Sequence, residues 1–140
     1  MEAMTPERTL TELDHVRLLG LVRRSAPAGV GVSHLRAVED MLDASDLVPS
    51  RQVAADIVTM NSKVVLRDEQ TGQRMTLTLC YPADAEPASG SVSVLSPVGS
   101  ALLGRHVGSV ARWHTAIGGW KAAEIVAILY QPESSGDYSS

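Results

Sequence analysis

Ser91-Val-Ser-Val-Leu-Ser-Pro-Val-Gly-Ser-Ala-Leu-Leu-Gly104 changes character halfway along. Val92, Ser93, Val94 and Leu95 form a short run rich in β-branched residues, the composition of a strand. Ser96 then offers a hydroxyl that can accept an orphan amide of a helix's first turn. Pro97 suits the first helical position, where its missing N–H is no loss. Residues 98–103 read as one short helix and Gly104 as its stop. The stretch therefore predicts a sheet interrupted by a single short helical insert.

Outward from this corner the same β composition recurs. It appears in Val64-Val65-Leu66, Met75-Thr76-Leu77-Thr78-Leu79-Cys80-Tyr81, Val110-Ala111-Arg112-Trp113 and Ile125-Val126-Ala127-Ile128-Leu129-Tyr130. Thr71-Gly72 links the first pair as a hairpin, and Gly118-Gly119 offers the positive-φ positions for the last. Residues 82–90 hold two prolines, two acids and no large apolar side chain, and read as a solvent loop. The polar tail, residues 131–140, is expected to fray or lie loosely on the sheet.

Ahead of Pro49 the period changes from strand to helix. Leu10, Leu13, Val16, Leu18, Leu19, Leu21 and Val22 include helical i, i+3 and i+4 relations, and Thr9 with Glu12 makes a capping-box pattern. A helix over about residues 10–24 follows. Ser33 is a candidate N-cap for a second, in which Leu35, Val38 and Leu42 share a face. The breaker-rich residues 25–31 between them read as a turn. On pattern alone the two could also be unrelated surface helices; joined, they form an antiparallel hairpin. The fold class is α+β: a short antiparallel helical hairpin over residues 1–49, then an antiparallel β-sheet domain with one short helix over residues 50–140.

Composition narrows the function. A chain of 140 residues, 44% hydrophobic, can bury one core. Its net charge of −4 and 20% charged residues provide no basic field, so direct nucleic-acid binding is excluded as the main function. The lone Cys80 forms no internal disulfide, and residues 1–9 mix charge with few apolar groups, so a cytoplasmic protein is expected. No run approaches the roughly 20 apolar residues of a membrane span. The GxxxG match at Gly104 to Gly108 contains Arg105 and His106 and reads as a turn.

Catalytic constellations are weak. His15, His34, His106 and His114 lack zinc-site spacing, there is no G-x-S-x-G, and Gly29 and Gly31 precede no phosphate-loop lysine. Cys80 fits a strand interior as a small buried hydrophobe. Trp113 and Trp120, beside the last hairpin, suit core or cross-strand packing better than base stacking. No catalytic residue, cofactor or metal is expected.

The string Ser-Pro-x-x-x-x-Leu-Leu-Gly, present at Ser96, Pro97, Leu102, Leu103 and Gly104, resembles the C-terminal domain of the Gre transcription factors. Asp56-Ile-Val-Thr-Met-Asn-Ser62, Tyr81-Pro82, Tyr130-Gln-Pro-Glu133 and Gly136-Asp137-Tyr138 resemble more closely the small Gre-like family of nucleoside diphosphate kinase regulators. The resemblance covers residues 50–138 well and the helices in outline; Ser109 departs from the Asp common after Gly108. It implies an FKBP-like fold for the C-terminal domain. It also implies a partner, RNA polymerase, held at the rim of the secondary channel through a coiled coil of the β′ subunit. Ser96 and Pro97 match the loop that makes this contact; on the sequence alone they could equally do no more than cap the short helix.

In the Gre cleavage factors, acidic residues at the tip of a long coiled coil help hold a second Mg²⁺ in the polymerase's active site, chemistry that needs hard oxygen ligands. Here residues 25–32 contain no Asp or Glu. Glu39, Asp40 and Asp43 lie a turn or more behind, most simply as a solvated helix face, and the helices reach only on the order of 20 Å. The expected function is thus a polymerase-binding regulator that competes with Gre-type factors and lacks transcript cleavage. The alternatives are an active Gre-type cleavage factor and an FKBP-like prolyl isomerase. The absence of Phe and a total of five aromatic residues weigh against the isomerase.

Overall fold

The computed structural model, which describes residues 8–24, 32–115 and 118–136, opens with a strand where the sequence predicts a helix start. Strand β1 (Thr9–Thr11) pairs in parallel with β2 (Asp46–Val48). The Thr9 amide donates to Gly104 O at 3.0 Å, and the Asp46 amide to Arg8 O at 2.9 Å. Drawing residues 9–11 into extended backbone moves the cap of helix α1 (Glu12–Arg24) two residues along. Thr11 Oγ1 accepts the Asp14 amide at 3.0 Å, and the expected Thr9–Glu12 box does not form.

Helix α2 (Val32–Ala44) likewise begins before Ser33, which lies inside it and is not its N-cap. The expected turn at residues 25–31 falls outside the described residues. Arg23, near the end of α1, pairs with Glu39 of α2 at 2.8 Å, while the base of both helices is tied by β1 and β2. The two helices therefore run in opposite directions.

Five strands form the main sheet: β3 (Lys63–Asp68), β4 (Arg74–Cys80), β5 (Ser91–Ser93), β6 (Val110–His114) and β7 (Trp120–Tyr130), in the order β5-β4-β3-β7-β6. The β3–β4 hairpin turns at Gly72, whose φ is +74°, and the Asp68 carboxylate accepts the Gln70 and Thr71 amides at 2.8 and 3.0 Å. One pair corrects the antiparallel expectation: β4 and β5 are parallel, so the sheet is mixed. Residues 82–90 cause this. They form two 3-10 turns, Pro82–Asp84 and Pro87–Ser89, that carry the chain back to start β5 alongside β4. Strand β7 begins five residues earlier than its apolar run, because Trp120 pairs with His114 at the end of β6.

Strand alternation puts Val64, Leu66, Leu79, Ala123 and Ile125 on one buried face, covered by helix α3 (Pro97–Leu102). Leu18, Leu35, Val38 and Leu42 of the helices belong to the same buried cluster. Each fully buried Leu there contributes roughly 2 kcal/mol of transfer free energy.

The tail departs from expectation. Gln131 is 2% exposed, and its Nε2 donates to Ala54 O at 2.8 Å and Ile57 O at 2.7 Å. Glu133, in a last 3-10 turn (Glu133–Ser135), accepts the Thr59 hydroxyl at 2.7 Å. The half-buried Ile57 carbonyl needs a donor, and Gln131 supplies it; at Ala54 O the Gln131 amide joins that of Ile57, which donates at 3.2 Å. Residues 137–140 lie outside the described residues.

Candidate functional site

The corner ahead of α3 is fixed by its own side chains. Ser96 Oγ accepts the Gly99 amide at 3.1 Å and donates to Ser93 O at 2.6 Å, and Ser93 Oγ accepts the Leu95 amide at 3.0 Å. Both roles of the Ser96 hydroxyl are therefore taken up inside the loop. Pro97, at the first helical position, is exposed. Gly99 must be glycine: a Cβ there would sit 2.0 Å from Ser93 O. This close approach is what seats a six-residue helix on the strand before it.

Two arginines satisfy the far end of α3. Arg8 donates to Ser100 O at 2.6 Å and Leu103 O at 3.2 Å, and Arg105 Nε to Ala101 O at 2.7 Å. Cations at a helix C-terminus meet the unpaired carbonyls and the negative end of the dipole. Burial, and after it the charge of Arg105, draws Arg8 down to about 10. Arg105 is lowered in the same way, by burial and then by Arg112.

Beside the corner runs a groove of about 360 Å³ between α2, α3 and β6, reached by Pro97. His34 forms part of one wall, its Nε2–H donating to Leu95 O at 2.6 Å. Trp113 is half-buried against the core, while Trp120 is 66% exposed and meets the His114 ring edge-on at 4.2 Å. The cross-strand packing expected of the tryptophans is thus present at Trp120, paired with His114.

The remaining candidates separate. Cys80 is buried; burial, then Asp84, raises its pKa, the reverse of what an activated nucleophile needs. Glu39 is engaged by Arg23, and Asp40 and Asp43 are exposed on α2, as a solvated face requires. No group of three His, Cys, Asp or Glu side chains is placed to hold a metal among the described residues. Among them, too, no helix is long and apolar enough to cross a membrane. The Asp56 to Ser62 motif has a structural role. Val58 exchanges backbone bonds with Gly104 and Arg105, and Asn61 takes a positive φ of 68°, which Asn tolerates. Sequence reasoning misses Arg8, whose carbonyl partners lie 92 and 95 residues away, and misses the groove, which α2, α3, β6 and the start of β7 build together.

Comparison with known proteins agrees with this layout. A family model described as "Transcription elongation factor, GreA/GreB, C-term" matches residues 53–130. The chain is 35% identical over 133 residues to the Regulator of nucleoside diphosphate kinase of Escherichia coli K12, covering 95% of this chain and 96% of that one. To Transcription elongation factor GreA of Desulfovibrio desulfuricans it is 34% identical over 80 residues, which is 57% of this chain but 49% of the factor. A solved transcription elongation factor GreA/GreB from Nitrosomonas europaea superposes with a TM-score of 0.72 at 32% identity, covering 90% of this chain and all of that one.

Proposed function

The chain belongs to the GreA/GreB family of transcription factors, and from that premise we propose that it binds RNA polymerase at the rim of the secondary channel and regulates transcription by occupying that site. The C-terminal unit, residues 50–140, is the docking unit and takes the FKBP-like form of the family; residues 1–49 form the short helical hairpin. The β′ coiled coil is the surface gripped. A protein with this partner works in the cytoplasm.

One observation carries the reading: Pro97 stands exposed on a corner whose hydrogen bonds are complete without a partner. Pro97 makes the contact and Ser96 holds its shape. A loop ordered in advance loses little entropy on docking, so its contact area converts to affinity. Residues 25–32 carry no carboxylate, so the hairpin brings no Mg²⁺ ligand to the polymerase and the protein does not promote cleavage. It acts by exclusion, not catalysis, and it contacts protein, not nucleic acid.

Competition with a labelled Gre factor for core polymerase tests this directly. Displacement at micromolar concentrations is expected, and none at tens of micromolar would count decisively against docking. Stalled elongation complexes should keep their RNA 3′ ends intact when the protein is added; shortening would show instead an active cleavage factor.

A further inference from the structure

The groove beside Pro97 has one sign of charge. Arg8, Arg112, His34 and His114 face it, and no Asp or Glu is among its described lining residues, in a chain whose net charge is −4. Arg8 is committed to carbonyls of α3 and so cannot turn away. Arg112 is exposed on β6 with no acidic partner among the described residues. Arg105, bound to Ala101 O, adds a third positive charge near the first two. Two arginines elsewhere in the described structure do meet acids, Arg23 with Glu39 and Arg67 with Glu124. Leaving like charges together raises the free energy of the unbound protein, and an acidic partner relieves it.

Next to these cations stand the two tryptophans. Trp113 is half-buried, and Trp120 leaves 66% of its surface in water, propped by the His114 edge. Exposed Trp beside unpaired Arg is the composition of residues that dominate binding energy at interfaces. The groove is open and follows an edge strand, which suits a protein segment better than a small molecule, whose sites enclose most of the ligand.

We propose that this groove receives an acidic segment of the polymerase coiled coil, with Arg112 pairing to its carboxylates and Trp120 covering its apolar side. The inference rests on the docking reading above and extends it from Pro97 to a second, charge-selective contact.

Core polymerase is titrated with the intact chain, Arg112→Glu and Trp120→Ala at two salt concentrations. Both positions are exposed, and thermal unfolding of each variant checks that the fold is kept. Expected are binding by the intact chain, a loss of at least tenfold with Arg112→Glu, a smaller loss with Trp120→Ala, and a weaker salt dependence in the Arg112→Glu variant. If the intact chain binds and both folded variants match it within twofold, the groove is not a contact and docking through Pro97 stands alone. Failure of the intact chain to bind would remove the docking reading itself. A single-stranded oligonucleotide is the control; if it binds the groove in preference to polymerase, the occupant is nucleic acid and the proposal is wrong.

Discussion

Asp14 Oδ2 accepts the backbone amide of Met60 at 3.2 Å, joining α1 to the turn that precedes the sheet from a position only 2% exposed. Burial raises the Asp14 pKa from 3.8 to about 6, with Glu133 adding to the rise, while the Met60 and Thr11 hydrogen bonds and Arg17 oppose it. A carboxyl with a raised folded-state pKa contributes stability that is fully present below its unfolded pKa. That contribution is lost as pH rises through the folded value. Asp14 should therefore weaken the fold between about pH 4 and pH 6, by on the order of 3 kcal/mol at about 1.4 kcal/mol per unit. Asp14→Asn keeps an acceptor for Met60 without the charge. Its unfolding free energy should exceed that of the unsubstituted chain at pH 7, with the gap closing toward pH 4. Equal pH profiles in denaturant titrations would refute the assignment. Asp14→Leu, which leaves the Met60 amide unpaired, should be destabilised at both ends.

Ser96 and Pro97 should respond differently to alanine. Ser96→Ala removes the acceptor for Gly99 and the donor to Ser93, lowering stability by about 1 kcal/mol and loosening the corner. Pro97→Ala leaves every one of those bonds in place, so thermal unfolding should change little. Polymerase affinity should fall roughly tenfold, about 1.4 kcal/mol. Calorimetry on both variants beside a polymerase pull-down separates shape from contact. A Pro97→Ala protein that unfolds early and binds normally would reverse the assignment.

The difference between what the residues announce and what they hide follows the range of each interaction. Ser96, Pro97 and Gly104 are readable because a cap and a stop involve neighbours within three or four residues. The strand runs are readable because alternation is local. Strands β1 and β2, three residues each, are not, since they exist only by pairing across 37 positions, as Thr9 does with Asp46. The parallel direction of β5 is hidden for a related reason. Its residues announce a strand, but the route of residues 82–90 sets its direction. The site divides along the same line. The Ser96-Pro97 corner is a continuous motif, whereas His34, Arg112 and Trp120 meet only when α2, β6 and β7 are assembled.

Gly99 carries a packing demand that no helix propensity would suggest. Alanine is the better helix former, yet its Cβ at this position would lie 2.0 Å from Ser93 O and 3.0 Å from the Val94 Cα. Both are backbone atoms and cannot swing aside. Gly99→Ala must push α3 off β5, costing about 2 to 3 kcal/mol as overpacking does. It should also displace Pro97 and weaken polymerase binding. A midpoint in urea unchanged from the unsubstituted chain would mean that α3 sits farther from the strand.

Gln131 tests whether the tail is structural. Its side-chain amide supplies both the Ala54 and Ile57 carbonyls, joining the end of β7 to the segment that leads into the sheet. Gln131→Leu fills similar space but leaves the part-buried Ile57 carbonyl without its donor and Ala54 O with the Ile57 amide alone. A buried group left unsatisfied costs about 1 to 3 kcal/mol, so a loss near 2 kcal/mol is expected in chemical denaturation. Gln131→Glu should do worse at neutral pH, because it sets a carboxylate against two carbonyl oxygens, and should recover partly as acid protonates it. Hydrogen exchange gives an independent reading. The Ile57 and Val58 amides, which donate to Ala54 O and Arg105 O, should lose protection in Gln131→Leu while those of β3 and β4 keep theirs, since the opening is local. Unchanged protection at these two amides would return residues 131–136 to the loose tail that their composition suggests.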